Sequence, residues 1–125
     1  MNARAIPADS RAVVSSPAGD ETGWTDYPIA DVVDGEPAAR VQVLHTVDVS
    51  SAVQTLARIT CEPSTFRYRF VNDEAFVITR GRVAITVDGR RHEMRTGDVA
   101  AVPAGHDSLF EVFEPSEKFV VVTSR

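Results

Sequence analysis

Residues 81–105 read GRVAITVDGRRHEMRTGDVAAVPAG, and glycine recurs in this stretch at every eighth position. Between the glycines, short runs rich in β-branched and apolar residues are separated by polar positions, a pattern typical of strands. The pair Asp88-Gly89 lies between two such runs. A two-residue hairpin turn favours this pair because both of its central residues need positive φ. The stretch therefore predicts antiparallel strands joined by tight turns.

The strand pattern continues on both sides of this stretch, and no segment shows a sustained helical period. Short strands with turn signals at this spacing are typical of an all-β sandwich or barrel. We therefore expect an all-β fold in which residues 39–125 form a single antiparallel jelly-roll β-barrel. The predicted strands cover residues 41–47, 53–61, 66–70, 75–79, 83–87, 92–95, 99–102, 109–113 and 119–123.

The first part of the chain has a different composition. Residues 1–22 are rich in Ala, Ser, Pro and Asp without an apolar period, which predicts a flexible acidic tail. Residues 23–38 are expected to form an arm that packs on the domain. Trp24, the only tryptophan, is expected to anchor this arm, and to contact substrate if the arm lies over the mouth of the barrel.

Length, charge and cysteine content exclude several classes of protein. A chain of 125 residues with 43% hydrophobic and 25% charged residues indicates one soluble domain. The net charge of -5 belongs to residues 1–36, and no basic cluster suggests binding to nucleic acid. No apolar run approaches the ~20 residues of a membrane span, and no signal peptide is evident, so a cytoplasmic protein is expected. The single cysteine excludes an internal disulfide framework.

Two spaced glycine motifs resemble the two halves of the cupin signature. In the first, Glu74 is followed by six residues and Gly81; in the second, Gly97 is followed by five residues and Pro103-Ala104-Gly105. The run from Gly97 to Lys118-Phe119 is similar to the small "cupin 3" subgroup, which includes ureidoglycine aminohydrolase and ethanolamine-utilisation cupins. The resemblance covers residues 40–123 and implies the jelly-roll fold. Because cupins commonly pair through a sheet, it also implies a homodimer.

The resemblance implies a metal site whose ligands this sequence largely lacks. The family pattern G-x5-H-x-H-x3–4-E-x6-G puts Tyr68 and Phe70, or Arg67 and Arg69, at its two histidine positions. The later histidine position is Ser108, so only Glu74 of the four ligand positions keeps a ligand residue. We therefore expect no metal and no cofactor. A site of one divalent metal built from Glu74, His45 and His106 is the alternative.

The segment Phe66–Phe70 alternates aromatic and charged residues, and its orientation decides what lines the barrel. Burial of the aromatic face is favourable at about 25 cal/mol per Å², whereas each unpaired buried arginine costs several kcal/mol. Tyr68 and Phe70 are therefore expected to face the lumen, with Arg67 and Arg69 outside. In the opposite orientation the two arginines would form a clamp for a carboxylate or phosphate.

The expected pocket combines these residues with others from the predicted strands. Its catalytic residues are predicted to be Glu74 as an acid or base and Tyr68 or His106 as the donor to a developing oxyanion. The residues expected to contact the substrate are His45, Phe70, Ser108, Val43 and Trp24.

These residues predict a small-molecule enzyme without a metal, either an isomerase, a lyase or a cyclase acting on an apolar biosynthetic intermediate. A dry, shaped barrel can fold a flexible substrate and remove orientational entropy. A non-catalytic module that binds a metabolite is the second hypothesis, and a metal-dependent cupin with shifted ligands is the third. Lys118 is the only lysine, so a mechanism through a Schiff base would have one candidate.

Overall fold

The computed structural model describes Val14 and residues 22–125, so the predicted tail lies outside the described residues except for Val14 and Thr22. Residues 22–125 form strands and turns without a helix, and therefore contain no helix that could cross a membrane. The strands are β1 (Trp24–Asp26), β2 (Asp31–Gly35), β3 (Arg40–Val49), β4 (Ala52–Cys61), β5 (Ser64–Arg69), β6 (Asp73–Arg80), β7 (Arg82–Val87), β8 (Arg90–Arg95), β9 (Val99–Val102), β10 (Asp107–Val112) and β11 (Ser116–Ser124).

The strands form two antiparallel sheets that face each other across one core. The six-stranded sheet has the order β1-β3-β4-β11-β6-β9, and the five-stranded sheet has the order β2-β5-β10-β7-β8. The predicted all-β jelly roll is thereby confirmed. Backbone hydrogen bonds join strands within each sheet, so the architecture is two facing sheets rather than one closed ladder.

The turn between β7 and β8 has the predicted geometry. Asp88 and Gly89 have φ of 53° and 75°, and Val87 pairs with Arg90 directly across the turn. Two consecutive positive φ values give the type I′ hairpin, whose twist matches that of the flanking strands.

Aromatic rings fill the centre of the core between the sheets. The Phe66 and Phe110 rings stack with centroids 5.3 Å apart, and the Phe76 ring lies 6.1 Å from the Phe110 ring. Phe70 is completely buried. These residues come from both sheets, so their contacts hold the sheets together and fix which face of each strand points inward.

A β-bulge interrupts the pairing of β3 with β4. Val43 lies opposite Ala57, but His45 lies opposite Leu56, the next residue along β4. Successive residues of a strand point to opposite faces, and one extra residue therefore transfers everything after it to the other face. Val43 and His45 do not share a face, contrary to the alternation expected over residues 41–47.

Residues 23–38, the predicted arm, contribute one strand to each sheet. β1 pairs with β3 at the edge of the larger sheet, and β2 pairs with β5 at the edge of the smaller one. Between them, Tyr27 and Ile29 pack against the core. The arm therefore bridges the two sheets at the same end of the domain.

Gly81, between β6 and β7, is required by both its conformation and its surroundings. Its φ is 85°, and a Cβ atom there would lie 2.5 Å from the carbonyl oxygen of Pro115. Gly97 has a φ of 96°, but a Cβ atom there would meet nothing within 4 Å. The two glycines thus share the backbone requirement and differ in the space around them.

We expect Gly81→Ala to lower the free energy of unfolding by about 3 kcal/mol, since a backbone clash adds to the strain of a positive φ. Gly97→Ala, the matched control, should cost only the strain of positive φ, roughly 1–2 kcal/mol. Urea unfolding followed by tryptophan fluorescence measures both. Equal losses in the two variants would contradict this account of Gly81.

Candidate functional site

A cavity of about 580 Å³ lies between the sheets next to the arm. Its wall is mostly apolar, and its few polar side chains come from the arm and from strands of both sheets. The apolar wall includes Ile29, Ala39, Ile59, Phe66, Ile78, Val83, Phe110 and Val112, and the polar residues facing the cavity include Tyr27, Cys61, Tyr68, Glu74, Ser108 and Lys118. A largely apolar cavity with a few convergent polar groups is the usual form of a small-molecule site.

A hydrogen bond between the sheets joins the two main polar groups of the cavity. Tyr68 lies on β5, and its hydroxyl donates to Oε2 of Glu74 on β6 over 2.6 Å. Glu74 is only 6% exposed. A short O–H to carboxylate bond is among the stronger hydrogen bonds in proteins, because its acceptor is charged. The pair therefore compensates a carboxylate held away from water.

The same surroundings keep the tyrosine protonated. Burial, followed by the hydrogen bond to Glu74, raises the pKa of Tyr68 well above its ordinary value. Burial likewise raises the pKa of Tyr27, a second hydrogen-bonding partner of Tyr68. Both effects disfavour a tyrosinate beside a carboxylate in a poorly solvated site. Tyr68 is thus a donor throughout the physiological range, and Glu74 is the acceptor.

Lys118 on β11 brings the one side-chain amine of the protein to this cavity. Lys118 lies opposite Ile59 of β4 and Ile78 of β6, and these neighbours are buried in the core. Its Nζ atom lies 4.6 Å from the centroid of the Phe76 ring and 4.7 Å from that of Phe110. Burial lowers the pKa of Lys118, and the negative charge of Glu74 partly opposes this change.

Cys61 contributes a thiol to the same wall. Burial raises the pKa of Cys61 and favours the protonated form. Its Sγ atom lies 3.7 Å from the Ser64 hydroxyl and 3.5 Å from the Glu62 carbonyl oxygen. The Cys61 side chain is half-buried.

The donor set in the cavity does not fit a metal ion of the kind the cupin pattern implies. The residues at the pattern's four ligand positions are Tyr68, Phe70, Glu74 and Ser108, and among them only Glu74 offers a carboxylate or imidazole. Among residues 22–125, no three His, Cys, Asp or Glu side chains converge closely enough to hold an ion. The alternative site of Glu74, His45 and His106 is not assembled, because the two histidines lie elsewhere.

Besides the buried Phe70, four of the residues expected at the site do not line this cavity. His106 belongs to a separate groove, where its Nδ1 atom lies 3.1 Å from an Asp88 oxygen. The bulge in β3 carries His45 to the face of Leu56, and Val43 remains 57% exposed. Trp24 lies in the short edge strand β1, opposite Gln42. These four residues are therefore not placed in this pocket, contrary to the expected arrangement.

Two further predicted residues support the site rather than contact a ligand. Phe70 is fully buried, and its ring meets the Tyr68 ring edge to face with centroids 4.8 Å apart. Ser108 lines the cavity, and its hydroxyl donates to the Tyr68 carbonyl oxygen over 2.7 Å. The Phe70 contact restrains the Tyr68 ring, and the Ser108 hydrogen bond restrains the Tyr68 backbone.

The arginines of β5 face outward at the rim of the cavity, as expected. Arg67 pairs with Asp31 at 3.4 Å, and Arg69 pairs with Asp107 at 3.0 Å. Because both cations already have acidic partners, the alternative of an arginine clamp inside the lumen is not formed.

Three of the polar residues of the cavity wall that the sequence did not point to are Tyr27, Cys61 and Lys118. Tyr27 was assigned to the arm without a role, and the approach of the arm to the cavity depends on two short strands with little apolar signal. Lys118 and Cys61 were noted but not placed in the site. Ser116, Lys118 and Val120 alternate along β11, so the inward position of Lys118 could have been read from its neighbours.

Comparison with known proteins agrees with this architecture. Residues 50–119 match the family described as the EutQ-like cupin domain. EutQ from Clostridium difficile is 20% identical, with a TM-score of 0.56 over 78% of this chain and 81% of that chain. KdgF from a Halomonas species is 13% identical, with a TM-score of 0.59 over 76% of this chain and 86% of that chain.

The fold also occurs in proteins with other names. The cupin domain of Cnp3 from Schizosaccharomyces pombe is 14% identical, with a TM-score of 0.58 over 75% of this chain and 69% of that chain. A search of curated proteins found no match. These structural likenesses establish the fold alone. Since the family match spans more than half of the sequence, the protein belongs to the EutQ-like cupin family.

Proposed function

We propose that this cupin is a small-molecule enzyme that moves protons on a mostly apolar substrate bound between its sheets. The observation that carries the proposal is the Tyr68–Glu74 hydrogen bond of 2.6 Å at the wall of the cavity. It places a proton donor and a proton acceptor side by side where a substrate can reach both. Isomerisation, elimination and cyclisation all need such a pair.

The two groups have complementary tasks. When a substrate binds, the Tyr68 hydroxyl turns its one hydrogen bond from Glu74 to the oxygen on which negative charge develops, and Glu74 then removes a proton from carbon or oxygen. Exclusion of water strengthens both interactions, because charges interact more strongly in a poorly solvated site. Phe70 packs on the Tyr68 ring and Ser108 bonds to its backbone, so the ring stays in place when the hydroxyl changes partner.

The lining of the cavity indicates the class of substrate. A volume of about 580 Å³ admits a molecule of metabolite size, and the mostly apolar wall favours a hydrocarbon body with few polar groups. The arginines at the rim are paired with aspartates and do not offer a free anion site. We therefore propose an uncharged or weakly polar biosynthetic intermediate, and the proton transfers require no redox cofactor.

Glu74→Gln should lower turnover by about 10² or more, the usual contribution of a general acid or base. Glutamine keeps the shape and can still accept the Tyr68 hydrogen bond, so the fold should survive. The assay incubates a metabolite extract with each protein and follows the rate at which new masses form. Glu114→Gln, which changes an exposed carboxyl, is the matched control.

Equal rates of product formation by the wild type and Glu74→Gln would contradict the role of Glu74. A compound that raises the melting temperature of the wild type but is never converted would favour a binding protein instead. Measuring the melting temperature alongside the masses separates these outcomes.

The proton arrangement itself can be tested by titrating the two tyrosines. The pKa values of Tyr27 and Tyr68 are raised above 10.0, so the folded protein should show little tyrosinate absorbance at that pH. Unfolded chains release these protons near the ordinary value, and stability should therefore fall as pH rises above 10.0. In the variant Tyr27→Phe, Tyr68 is the only tyrosine left, so the absorbance reports the ionisation of Tyr68 alone. Ionisation of Tyr68 near 10.0 in that folded variant would contradict the assigned hydrogen bond.

A further inference from the structure

Lys118 is unusual because its amine lies inside the domain with no partner of opposite charge in contact. Within residues 22–125 its Nζ atom forms no ion pair, whereas the exposed arginines of β5 both do. The nearest acid of the cavity, Glu74, bonds to Tyr68 and reaches Lys118 only by longer-range attraction. An amine at an apolar cavity wall without a paired acid is costly to desolvate, so its presence calls for a reason.

The contacts of Lys118 do not supply a purely structural reason. The amine lies over two aromatic rings, at 4.6 Å from the Phe76 centroid and 4.7 Å from the Phe110 centroid. These contacts stabilise the ammonium form in part. An apolar side chain of similar length, such as methionine, would fill the same space between Ile59 and Ile78 without the desolvation cost.

The surroundings also make the amine a better nucleophile. Burial lowers the pKa of Lys118, and a larger fraction of the side chain is therefore neutral near pH 7 than for an exposed lysine. Desolvation in an apolar pocket is one of the known ways in which a lysine is activated for attack on a carbonyl group.

We propose that Lys118 binds aldehydes or ketones in the cavity by forming an imine. This inference rests on the proposed function in one respect, because it assigns the substrate class of the same cavity. The carbonyl group is the one common electrophile that reacts reversibly with an amine and that an apolar cavity of this kind would admit.

The chemical step balances without an oxidant or a reductant. The Nζ lone pair forms a C–N bond to the carbonyl carbon as the C–O π bond breaks, and a proton passes from nitrogen to oxygen. The resulting carbinolamine loses its hydroxyl group with one further proton, as water, and leaves a C=N bond. Tyr68 on the same wall is placed to donate a hydrogen bond to the departing oxygen in place of its bond to Glu74.

Imine formation also supplies what the proposed acid–base chemistry needs. A protonated imine withdraws electrons and makes the neighbouring C–H bonds acidic. Glu74 on the same wall could then remove a proton from that carbon. Isomerisation, elimination or ring closure would follow at that carbon, and hydrolysis of the imine would return Lys118.

Reductive trapping tests the proposal directly. The protein is incubated near neutral pH with benzaldehyde, an apolar aldehyde, and sodium cyanoborohydride, which reduces an imine to a stable secondary amine. Lys118 is the only lysine, so trypsin normally separates residues 96–118 from 119–125. A benzylated Lys118 blocks this cut, and a single peptide of residues 96–125 with the added mass reports the reaction.

The folded protein should label at Lys118 several-fold faster than the same protein in concentrated guanidinium chloride, because burial in the cavity wall leaves more of the amine neutral. The N-terminal amine provides an internal standard in both states. Arg90→Lys introduces an exposed lysine on β8, which should label more slowly than Lys118 in the same molecule. Lys118→Met should abolish the modification while the melting temperature is kept.

Labelling of Lys118 that is no faster in the folded than in the unfolded protein, or no faster than that of the lysine introduced by Arg90→Lys, would overturn the inference. Trapping needs no turnover, so it is independent of the proposed function. An unlabelled Lys118 with a strong effect of Glu74→Gln on turnover would refute the imine and keep the acid–base role. Rapid labelling of Lys118 without an effect of Glu74→Gln on turnover would support the imine and refute the acid–base role of Glu74.

Discussion

The alternation of β5 is the constraint on which the core and the cavity both depend. Phe66 and Phe70 point inward, whereas Arg67 and Arg69 point to solvent and pair with aspartates. A slip of one residue would bury two arginines and expose the aromatic rings, at a cost of several kcal/mol for each unpaired charge. Phe110 of the neighbouring strand β10 lies directly opposite Phe66, and the stacking of the two rings stabilises this register.

The same register places the Tyr68 hydroxyl where it can meet Glu74 of the other sheet. A polar contact that crosses the core is expensive unless both groups are satisfied, and here the hydroxyl and the carboxylate satisfy each other. Lys118 is the exception among these polar groups, because its amine contacts the faces of Phe76 and Phe110 instead of an acidic side chain. Tyr68, Glu74 and Lys118 thus bring three polar groups to one mostly apolar cavity, and such a cavity is where a fold is expected to give up stability for function.

Most strands and the orientation of β5 could be predicted from the sequence, because period-two alternation and glycine spacing are local signals. The arm strands could not, since residues 31–35 are exposed throughout and carry no apolar face. The role of His45 failed because a bulge changes its face, and a bulge leaves no mark in a single sequence. His106 was misplaced because its loop turns toward Asp88 of the β7–β8 hairpin, a contact between distant segments.

The substitutions at the cupin ligand positions change the chemistry that the fold can support. The family pattern assigns two imidazoles and a glutamate to this region, which together would suit a divalent cation. With Tyr68 and Phe70 in place of the imidazoles, Glu74 has a hydroxyl donor in contact, and the positive charge beyond it belongs to the Lys118 amine. A metal ion would polarise a substrate as a Lewis acid, whereas a tyrosine, a carboxylate and an amine exchange protons and form reversible covalent bonds. The cupin scaffold is retained, and the proposed acid–base and carbonyl chemistry uses Tyr68 and Glu74, which stand where the pattern has metal ligands, together with Lys118.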